Sequence, residues 1–428
     1  MKAIKPVETG VYATLTRASA ATYWDAAGLL QTAAVDTARV GYTRDGTFLG
    51  ALIEPAATNL LLNNATLSTQ TRAVSNATQY TLSFYGTGAV TLSGAAIGTI
   101  TGTGATARTT YTFTAASSSL TLTPSGSVTY AQLETGSVDT SVIVTAGATV
   151  TRAADVITGT GVLTSSFTEA TANYVAGTTY ALGAVVRYNT RLYESLQATN
   201  TGNTPDTSPT WWLDLSADNV YAMFDRSNTK QSAGSATTCL VTVVMPSAVD
   251  AAGLMNLANT TSAALVIGDG YSTFHTVSDT ADEVIDVALL APGAGTVVSV
   301  LVKNSGAAYP LVGELVIGTQ HELGDTEVGL GMNLMDFSRK DRDDFGNYSF
   351  TERAWSKRVS APVWIDKANL SETMKFLVYM RAKPSVWVFT DIGELATVSI
   401  VYGFLRDLSL SIDYPEWALY RLEVEGLT

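Results

Sequence analysis

Short segments in which every second residue is apolar recur through the first 155 residues of the chain. Such alternation places one row of side chains on a core face and the other in solvent, which predicts half-buried β-strands. The segments lie about 10 residues apart, a spacing typical of a β-sandwich or jelly roll. Between Glu54 and Glu134 the only charged residues are Arg72 and Arg108. The clearest segments are YTLSFYG (80–86), VTLSG (90–94), YTFTA (111–115), LTLTPSG (120–126) and VTYAQ (128–132).

The composition indicates a folded protein with several cores. The chain has 428 residues, of which 46% are hydrophobic and 15% charged, with a formal net charge of −13. Disordered chains combine low hydrophobicity with high net charge, so this composition argues against disorder. An acidic surface also argues against nucleic acid as a partner, because phosphate contacts need clustered Lys and Arg. No Lys occurs between Lys5 and Lys230.

Shifts in composition predict an all-β chain of several domains. Charged residues return after about residue 216, and strand-like runs continue from there to the end. Two short segments have helical character, Ala248–Leu257 and Asn369–Lys375, and Asp366 precedes the second as a potential cap. The predicted parts are a jelly-roll or sandwich (1–157), a linker (158–170), a small aromatic unit (171–215), a sandwich (216–318) and a β-rich C-terminal domain (319–428).

The sequence favours a soluble protein made in the cytoplasm, with no membrane insertion. Its N-terminus, MKAIKPVETG, lacks the apolar region of a secretory signal. The most apolar long segment, Val287–Val302, is interrupted by Pro292 and two glycines and is shorter than the ~20 residues of a spanning helix. That segment is predicted to form strand, turn and strand.

Few residues in the chain could support catalysis, so no enzyme activity and no cofactor are predicted. Only two histidines occur, His275 and His321, which leaves little material for a catalytic triad or a zinc site. A pair of carboxylates that hydrolyses a glycan stays open as an enzymatic alternative. Asp341, Asp343 and Glu352 have calcium-loop spacing, but Phe345 stands where a ligand is needed, so a polar loop with internal ion pairs is preferred.

The segment from Tyr174 to Leu215 resembles the small chitin- and cellulose-binding modules found beside chitinases. The match consists of Tyr180, a turn at Gly183, strands at Ala184–Tyr188 and Leu192–Ser195 joined at Asn189-Thr190, then Gly202, Pro205, Pro209 and two tryptophans. Exposed aromatic rings stack on sugar faces in such modules, and Tyr193 with one tryptophan would form the platform. In the alternative interpretation, the two tryptophans only pack within this small unit and at its junction with the rest of the chain. The candidate rings are Tyr180, Tyr188, Tyr193, Trp211 and Trp212.

The N-terminal 157 residues resemble tail fibre, tailspike and baseplate-associated proteins of bacteriophages. In that family such phrases often surround a lectin-like or carbohydrate-binding jelly roll, although the middle of this sequence is shorter and plainer. The phrases that carry the resemblance are Thr16–Ser19, Ala21–Asp25, Gly28–Leu30, Ala33, Arg39, Leu52–Leu61, Gln132–Glu134, Ser137–Ser141 and Thr151–Asp155.

The C-terminal half resembles another region of phage tail and baseplate proteins, over about 210 residues. This second resemblance indicates location rather than mechanism. Its residues are Asn219–Asp225, Val316–Gly318, Asp336–Ser338, Asp344–Gly346, Glu352–Arg353, Arg381, Pro384, Trp387 and Tyr402–Phe404.

Together the resemblances imply a virion protein at the tail tip that binds a host-surface glycan without cutting it. Its partners would be other tail or baseplate subunits and the glycan, and copies of the chain would associate, with a trimer favoured. The second interpretation is a purely structural connector between virion subunits. A polysaccharide depolymerase ranks third, because such enzymes usually carry a long β-helix with a fixed repeat, which this sequence lacks.

Overall fold

The chain is built almost entirely of β-sheet. The computed structural model describes residues 1–227, 230–268, 295–342, 344–390, 399–411 and 416–427, and the backbone of 271–276. Strands make up 55% of it and helices 5%, which confirms the all-β class. Contacts divide the chain into two compact units. The N-terminal unit is Tyr12–Leu163, and the C-terminal unit combines Met1–Val11 with Thr164–Thr428.

Strands are numbered in chain order, and the first of them, β1, belongs to the C-terminal unit. Those in the first part of the chain are β1 (Lys2–Pro6), β2 (Ala13–Thr16), β3 (Ala21–Trp24), β4 (Leu30–Ala33), β5 (Val40–Tyr42), β6 (Phe48–Ala51), β7 (Ala57–Asn59), β8 (Gln70–Ala73), β9 (Gln79–Gly86), β10 (Ala89–Gly94), β11 (Gly98–Thr101), β12 (Gly104–Thr114), β13 (Ser119–Ser125), β14 (Thr129–Thr135), β15 (Val150–Arg152), β16 (Val156–Gly159) and β17 (Gly161–Ser165).

Two sheets of the N-terminal unit pack face to face as a β-sandwich. One has the order β11-β10-β13-β8 and the other β12-β9-β14. Both contribute side chains to one core, so the alternating segments form the strands that the sequence predicts. Tyr111 is an exception, because it is exposed on β12. The core includes Leu82, Phe84, Val90, Leu92, Phe113, Leu120, Leu122 and Leu133.

Smaller sheets complete the N-terminal unit. A four-stranded sheet has the order β4-β3-β5-β6, and two-stranded pairs join β15 to β7 and β16 to β2. The pairing of β16 with β2 runs from Val156 to Gly159, so the unit continues beyond the predicted boundary at residue 157. Residues 158–170 are therefore partly strand and not a free linker.

The remaining elements lie in the C-terminal unit. They are β18 (Thr179–Tyr180), β19 (Val185–Tyr188), β20 (Arg191–Ser195), β21 (Asn200–Thr201), β22 (Trp212–Ala217), a 3-10 helix η1 (Ala222–Phe224), β23 (Ser232–Ala233), β24 (Thr238–Val249), β25 (Ala251–Ala258), β26 (Ser262–Ile267), β27 (Tyr271–Thr276), β28 (Gly295–Lys303), β29 (Leu311–Glu322), β30 (Asp325–Thr326), β31 (Gly331–Asp336), β32 (Arg339–Arg342), β33 (Tyr348–Thr351), β34 (Trp355–Asp366), α1 (Lys367–Met380), β35 (Ser385–Val388), β36 (Ile400–Ser411) and β37 (Trp417–Gly426).

A large sheet forms the centre of the C-terminal unit. Its main order is β23-β29-β1-β35-β36-β37-β34-β30, with β25 also on β29 and β31 also on β34. β1 lies between β29 and β35, so the first strand of the chain is part of the C-terminal unit and not of the predicted domain 1–157. At Gly318 a Cβ would lie 2.0 Å from the carbonyl oxygen of Lys5, so only glycine allows this close approach. Residue 318 falls inside β29, and the predicted boundary there divides a strand.

The two predicted helical segments have different outcomes. Asn369–Lys375 lies inside α1, and the Asp366 carboxylate accepts a hydrogen bond of 2.7 Å from the Ala368 amide, which confirms the cap. Ala248–Leu257 is instead strand, because it lies in β24 and β25. Since β25 is buried on both faces, its apolar run shows no period-two alternation and resembles a buried helix.

A second sheet of the C-terminal unit contains β24, β28, β26 and β27 as successive neighbours. The end of the apolar segment Val287–Val302 lies in β28, as predicted, and residues 287–294 lie outside the described residues. Among the described helices none has the length and apolar character needed to cross a membrane.

Candidate functional site

The aromatic module (residues 171–217) has the strands that its sequence predicts. β19 pairs with β20, and β20 pairs with β22, while β18 pairs with β21. The turn between β19 and β20 contains Asn189 in the left-handed region, with φ of 54°. Asn is one of the few residues that adopts this conformation at little cost. A sheet of three short strands buries little area, so aromatic side chains must supply most of the core.

Two of the five candidate rings are in the core of the module. Tyr193 is 7% exposed and Trp212 is 2% exposed, and both pack on Val186. The rings of Tyr180, Tyr188 and Trp211 are half-buried around them. Burial removes Tyr193 and Trp212 from the predicted sugar platform. The candidate stacking surface is therefore restricted to the three half-buried rings.

Trp212 organises the module through both its ring and its nitrogen. Nε1 donates to the carbonyl oxygen of Asn203 at 2.9 Å, and the ring meets Tyr180 edge-on at a centroid distance of 5.3 Å. The Tyr180 hydroxyl in turn accepts from the Val175 amide at 2.7 Å. Tyr180 thus has a structural role as well as a partly accessible face, which leaves Tyr188 and Trp211 as the rings best suited to bind a ligand.

A pocket of about 280 Å³, here called the Trp24 pocket, opens in the N-terminal unit. The sequence predicts no ligand-binding role for these residues, which come from six segments: β3, the end of β5, β6 with the residues after it, β9, β12 and the segment after β14. Trp24 and Tyr85 are buried at its base, whereas Tyr23 and Tyr42 are half-buried. The lining includes Tyr23, Trp24, Tyr42, Tyr85, Arg108 and Asp139.

The aromatic side of the Trp24 pocket is rigidly held. Trp24 Nε1 donates to the Tyr85 hydroxyl at 3.1 Å, and the two rings meet edge-on at 5.6 Å. The Arg44 guanidinium lies 5.0 Å from the Trp24 ring and 5.2 Å from the Tyr130 ring, within cation–π range. Burial, with a smaller effect of the Asp25 carboxylate, raises the pKa of Tyr42. Its hydroxyl therefore stays protonated and can donate to a ligand.

The lining of the Trp24 pocket also includes polar and charged side chains, and the Arg108 guanidinium lies 5.9 Å from the Tyr85 ring. Arg108 lies 3.1 Å from the Asp139 carboxylate and donates to the Thr140 carbonyl at 2.6 Å and to Ser83 Oγ at 2.8 Å. Arg108 and Asp139 are both partly accessible, with side chains 17% and 26% exposed. A cavity lined by both aromatic rings and fixed hydrogen-bonding groups fits a sugar ring, which has apolar faces and hydroxyl edges.

Behind the polar side lies a network of buried charges, here called the arginine network. Asp155 accepts from Arg17 at 2.9 Å and from Arg39 at 2.6 Å, and all three side chains are fully buried. Glu54 accepts from Arg39 at 2.8 Å and from Arg152 at 2.5 Å. The remaining donors of Arg17 go to three backbone carbonyls, those of Ser19, Thr37 and Ala34.

The arginine network keeps Glu54 ionised at the edge of the pocket. Burial raises the pKa of Glu54, but Arg152, Arg39 and hydrogen bonds from Ser141 together lower it below its ordinary value. The Ser141 amide donates to Glu54 Oε1 and its hydroxyl to Oε2, both at 2.7 Å. Glu54 and Ser141 also line the Trp24 pocket, so the network fixes the polar wall.

A cavity of about 290 Å³ in the C-terminal unit contains a second carboxyl group of interest. Glu314 of β29 is 3% exposed, and its Oε2 has no hydrogen-bond partner of good geometry among the described residues. Burial and then the neighbouring Asp225 raise the pKa of Glu314 well above its ordinary value. Glu314 and Tyr402 both line the cavity, although Glu314 Oε2 and the Tyr402 hydroxyl oxygen expose almost no surface.

The other predicted site residues lie apart from these cavities. Asp341 is on β32, where its carboxylate pairs with Arg339 at 2.6 Å, and Glu352 follows β33. Asp343 lies outside the described residues, and the described part of the chain holds no cluster of three metal-ligating side chains. His321 stacks on Phe376 at 4.2 Å, and burial lowers its pKa. The side chain of His275 lies outside the described residues.

No protein-family model matches the chain, and no curated protein matches its sequence. Function must therefore be inferred from the chemistry of the residues themselves. The Trp24 pocket and the half-buried rings of the aromatic module are the two places where that chemistry fits a sugar.

The arginine network predicts that substitution of Asp155 strongly lowers the stability of the N-terminal unit. In Asp155→Ala, Arg17 and Arg39 each lose a buried carboxylate partner, and breaking a buried pair costs about 3–5 kcal/mol. We expect faster hydrogen–deuterium exchange across peptides of the N-terminal unit and a lower denaturation midpoint for the full chain.

The matched control is Asp214→Ala, because Asp214 pairs with Arg191 at 2.6 Å but both side chains are more than 40% exposed. An exposed pair contributes at most about 1 kcal/mol. Equal effects of the two variants would contradict the structural importance of the arginine network.

The raised pKa of Glu314 predicts that this residue lowers the stability of the folded chain as pH rises. Because its pKa is raised in the folded protein, the folded state favours the protonated form, and stability is lost as pH rises above the unfolded pKa of about 4.3. Gln stays neutral, so Glu314→Gln should be more stable than the wild type at pH 8 and nearly equal at pH 4. Denaturation of both proteins at the two pH values tests this. Glu322→Gln, on the same strand with a side chain 79% exposed, is the control and should show no such dependence.

Proposed function

We propose that the chain is a bacteriophage tail-tip protein that binds host-surface glycans without cleaving them. The observation that carries the proposal is the Trp24 pocket, which combines an aromatic base with an ion-paired rim of Arg108 and Asp139. The placement in a phage tail is supported by the sequence phrases that resemble tail fibre and baseplate proteins. Host lipopolysaccharide or capsule would supply the ligand.

The pocket offers the two kinds of contact that sugars use. Tyr23 and Tyr42 present partly accessible rings, and Arg108 and Asp139 present donors and acceptors in fixed positions. Because the Thr140 carbonyl and Ser83 hold Arg108, and Arg108 holds Asp139, before a ligand arrives, these two side chains lose little entropy on binding. Preorganisation of this kind favours specific recognition of a ligand as small as a single sugar residue.

The charges of the pocket support binding rather than hydrolysis. Glycoside hydrolysis needs one carboxyl group that is protonated to act as the acid, and a second that is ionised. Glu54 has a lowered pKa because two arginines and Ser141 stabilise its carboxylate, and Asp139 pairs with Arg108. The lowered pKa of Glu54 does not suit a carboxyl group that must be protonated to act as the acid, so Glu54 gives the depolymerase alternative no support.

The aromatic module is a candidate for a second glycan-binding surface in the same function. Tyr188 and Trp211 keep partly accessible rings on the module, next to a core that Trp212 stabilises. The burial of Tyr193 and Trp212 also favours the competing proposal, a structural connector in the tail or baseplate. In that case the rings would contribute only to the core and to contacts with other virion subunits.

Asp139→Asn should weaken glycan binding by about 10- to 100-fold, because a hydrogen bond to a charged group contributes about 1.5–3 kcal/mol. The side chain keeps its size, so the fold should persist. The measurement is binding of the full chain to immobilised host lipopolysaccharide and capsular polysaccharide. Asp45→Asn, in an exposed turn of the same unit, is the control. If the wild type binds and both variants bind equally, the Trp24 pocket is not the site.

Trp211→Ala tests the aromatic module on the same surfaces. An aromatic contact contributes about 0.5–1.5 kcal/mol beyond its buried area, so we expect a loss of about 2- to 10-fold if the module binds sugar. Leu213→Ala is the control, because Leu213 is a neighbouring exposed residue on β22. Unchanged binding by Trp211→Ala would leave the module with a structural role and favour the connector for this part of the chain.

A further inference from the structure

An exposed apolar surface extends from one end of the large sheet in the C-terminal unit. It consists of β31, the hairpin of β32 and β33, and the start of β34, and is here called the apolar arm. Leu334 and Phe350 are 66% and 69% exposed, values unusual for large apolar side chains that cluster in sequence. Its exposed residues include Met332, Leu334, Phe337, Tyr348, Phe350 and Trp355.

The strand register shows that part of the apolar arm continues the core face of the sheet. Met332 is opposite Val359, Leu334 is opposite Lys357, and Asp336 is opposite Trp355. Residues directly opposite each other in an antiparallel pair lie on the same face. Val359 belongs to the core that α1 covers, so Met332, Leu334 and Trp355 lie on that same face beyond its covered part. This extension is exposed, and on it the three large apolar side chains alternate with two charged ones, Lys357 and Asp336.

The hairpin of β32 and β33 has no third strand beside it among the described residues. Every residue of both strands is exposed. Tyr348 and Phe350 stack with centroids 5.9 Å apart, and the Arg342 guanidinium lies 5.6 Å from the Tyr348 ring. These contacts cover only part of the rings. Because an isolated two-stranded hairpin is marginally stable in water, the hairpin needs a partner surface.

The charge of the apolar arm indicates which partner this is. Residues 337–355 contain four basic side chains (Arg339, Lys340, Arg342, Arg353) and four acidic ones (Asp341, Asp343, Asp344, Glu352), so the stretch is neutral in a chain of net charge −13. Two copies of this chain can therefore approach through their arms without the repulsion that acts between the acidic surfaces. A copy is also present whenever the chain folds, which suits a surface that cannot stay exposed.

We propose that the apolar arm is the surface through which copies of this chain associate into a homo-oligomer. Met332, Leu334 and Trp355 of one copy complete a core with the arm of another, and the Tyr348 and Phe350 rings of each hairpin are buried there. This proposal does not depend on glycan binding, because the arm contains none of the residues of the Trp24 pocket or of the aromatic module.

The mass of the full chain in solution tests the proposal. By analytical ultracentrifugation the wild type should have a multiple of its 45.0 kDa chain mass, whereas Leu334→Ser with Phe350→Ser should have the mass of one chain. Ile97→Ser is the control, since Ile97 is 86% exposed in the N-terminal unit and should not affect association. A wild type of single-chain mass, or an oligomer that survives both arm substitutions, would overturn the proposal.

Disulfide cross-linking gives a second test. It detects contact between the arms of two chains and does not depend on a variant that loses association. Cys239 is buried, so Phe350→Cys adds one accessible thiol to the chain. Under mild oxidation Phe350→Cys should form a disulfide-linked pair of chains, and Ile97→Cys should not. Equal cross-linking by the two variants, or none by Phe350→Cys, would also contradict association through the arm.

Discussion

Asp155 is the residue on which the N-terminal unit most depends, because it joins two buried arginines that come from distant parts of the chain. Arg17 and Arg39 carry full charges in the interior, where desolvation is costly unless every charge is paired and hydrogen-bonded. The Glu54 amide also donates to Asp155, at 3.0 Å. The segments around these residues can therefore adopt only the arrangement in which the carboxylate meets both guanidinium groups.

The arginine network gives a physical meaning to the sequence phrases of the N-terminal unit. Thr16–Ser19 supplies Arg17, Leu52–Leu61 supplies Glu54, and Thr151–Asp155 supplies both Arg152 and Asp155. These phrases lie far apart in sequence, with Arg17 and Asp155 separated by 138 positions, and meet in one hydrogen-bonded group. Such phrases specify the buried polar core of the unit, and Glu54 and Ser141 connect this core to the lining of the Trp24 pocket. In the C-terminal half Trp387, part of another phrase, is fully buried, so there too a phrase marks the core.

The sequence predicts those parts of the fold whose signals act between residues close together in the chain. Alternation identified the sandwich strands, and Asp366 identified the start of α1, because both signals act over a few residues. The pairing of β1 with β29 was missed, since no local pattern reports a contact across more than 300 residues. β25 was mistaken for helix because burial of both faces removes the alternation. The sequence does not predict the Trp24 pocket either, because its lining comes from six separate segments that no local pattern joins.

Accessible aromatic residues occur in two different settings among the described residues, and the two settings favour different kinds of ligand. Around Trp24 the rings stand beside Arg108 and Asp139, so an occupant must satisfy hydrogen bonds as well as stack. On the apolar arm, Leu334 and Trp355 continue a core face on which Lys357 and Asp336 also lie, so an occupant must cover large apolar side chains that alternate with charged ones. The same aromatic residue types therefore stand in two chemical environments, an enclosed pocket lined by an ion pair and an open strand face of balanced charge.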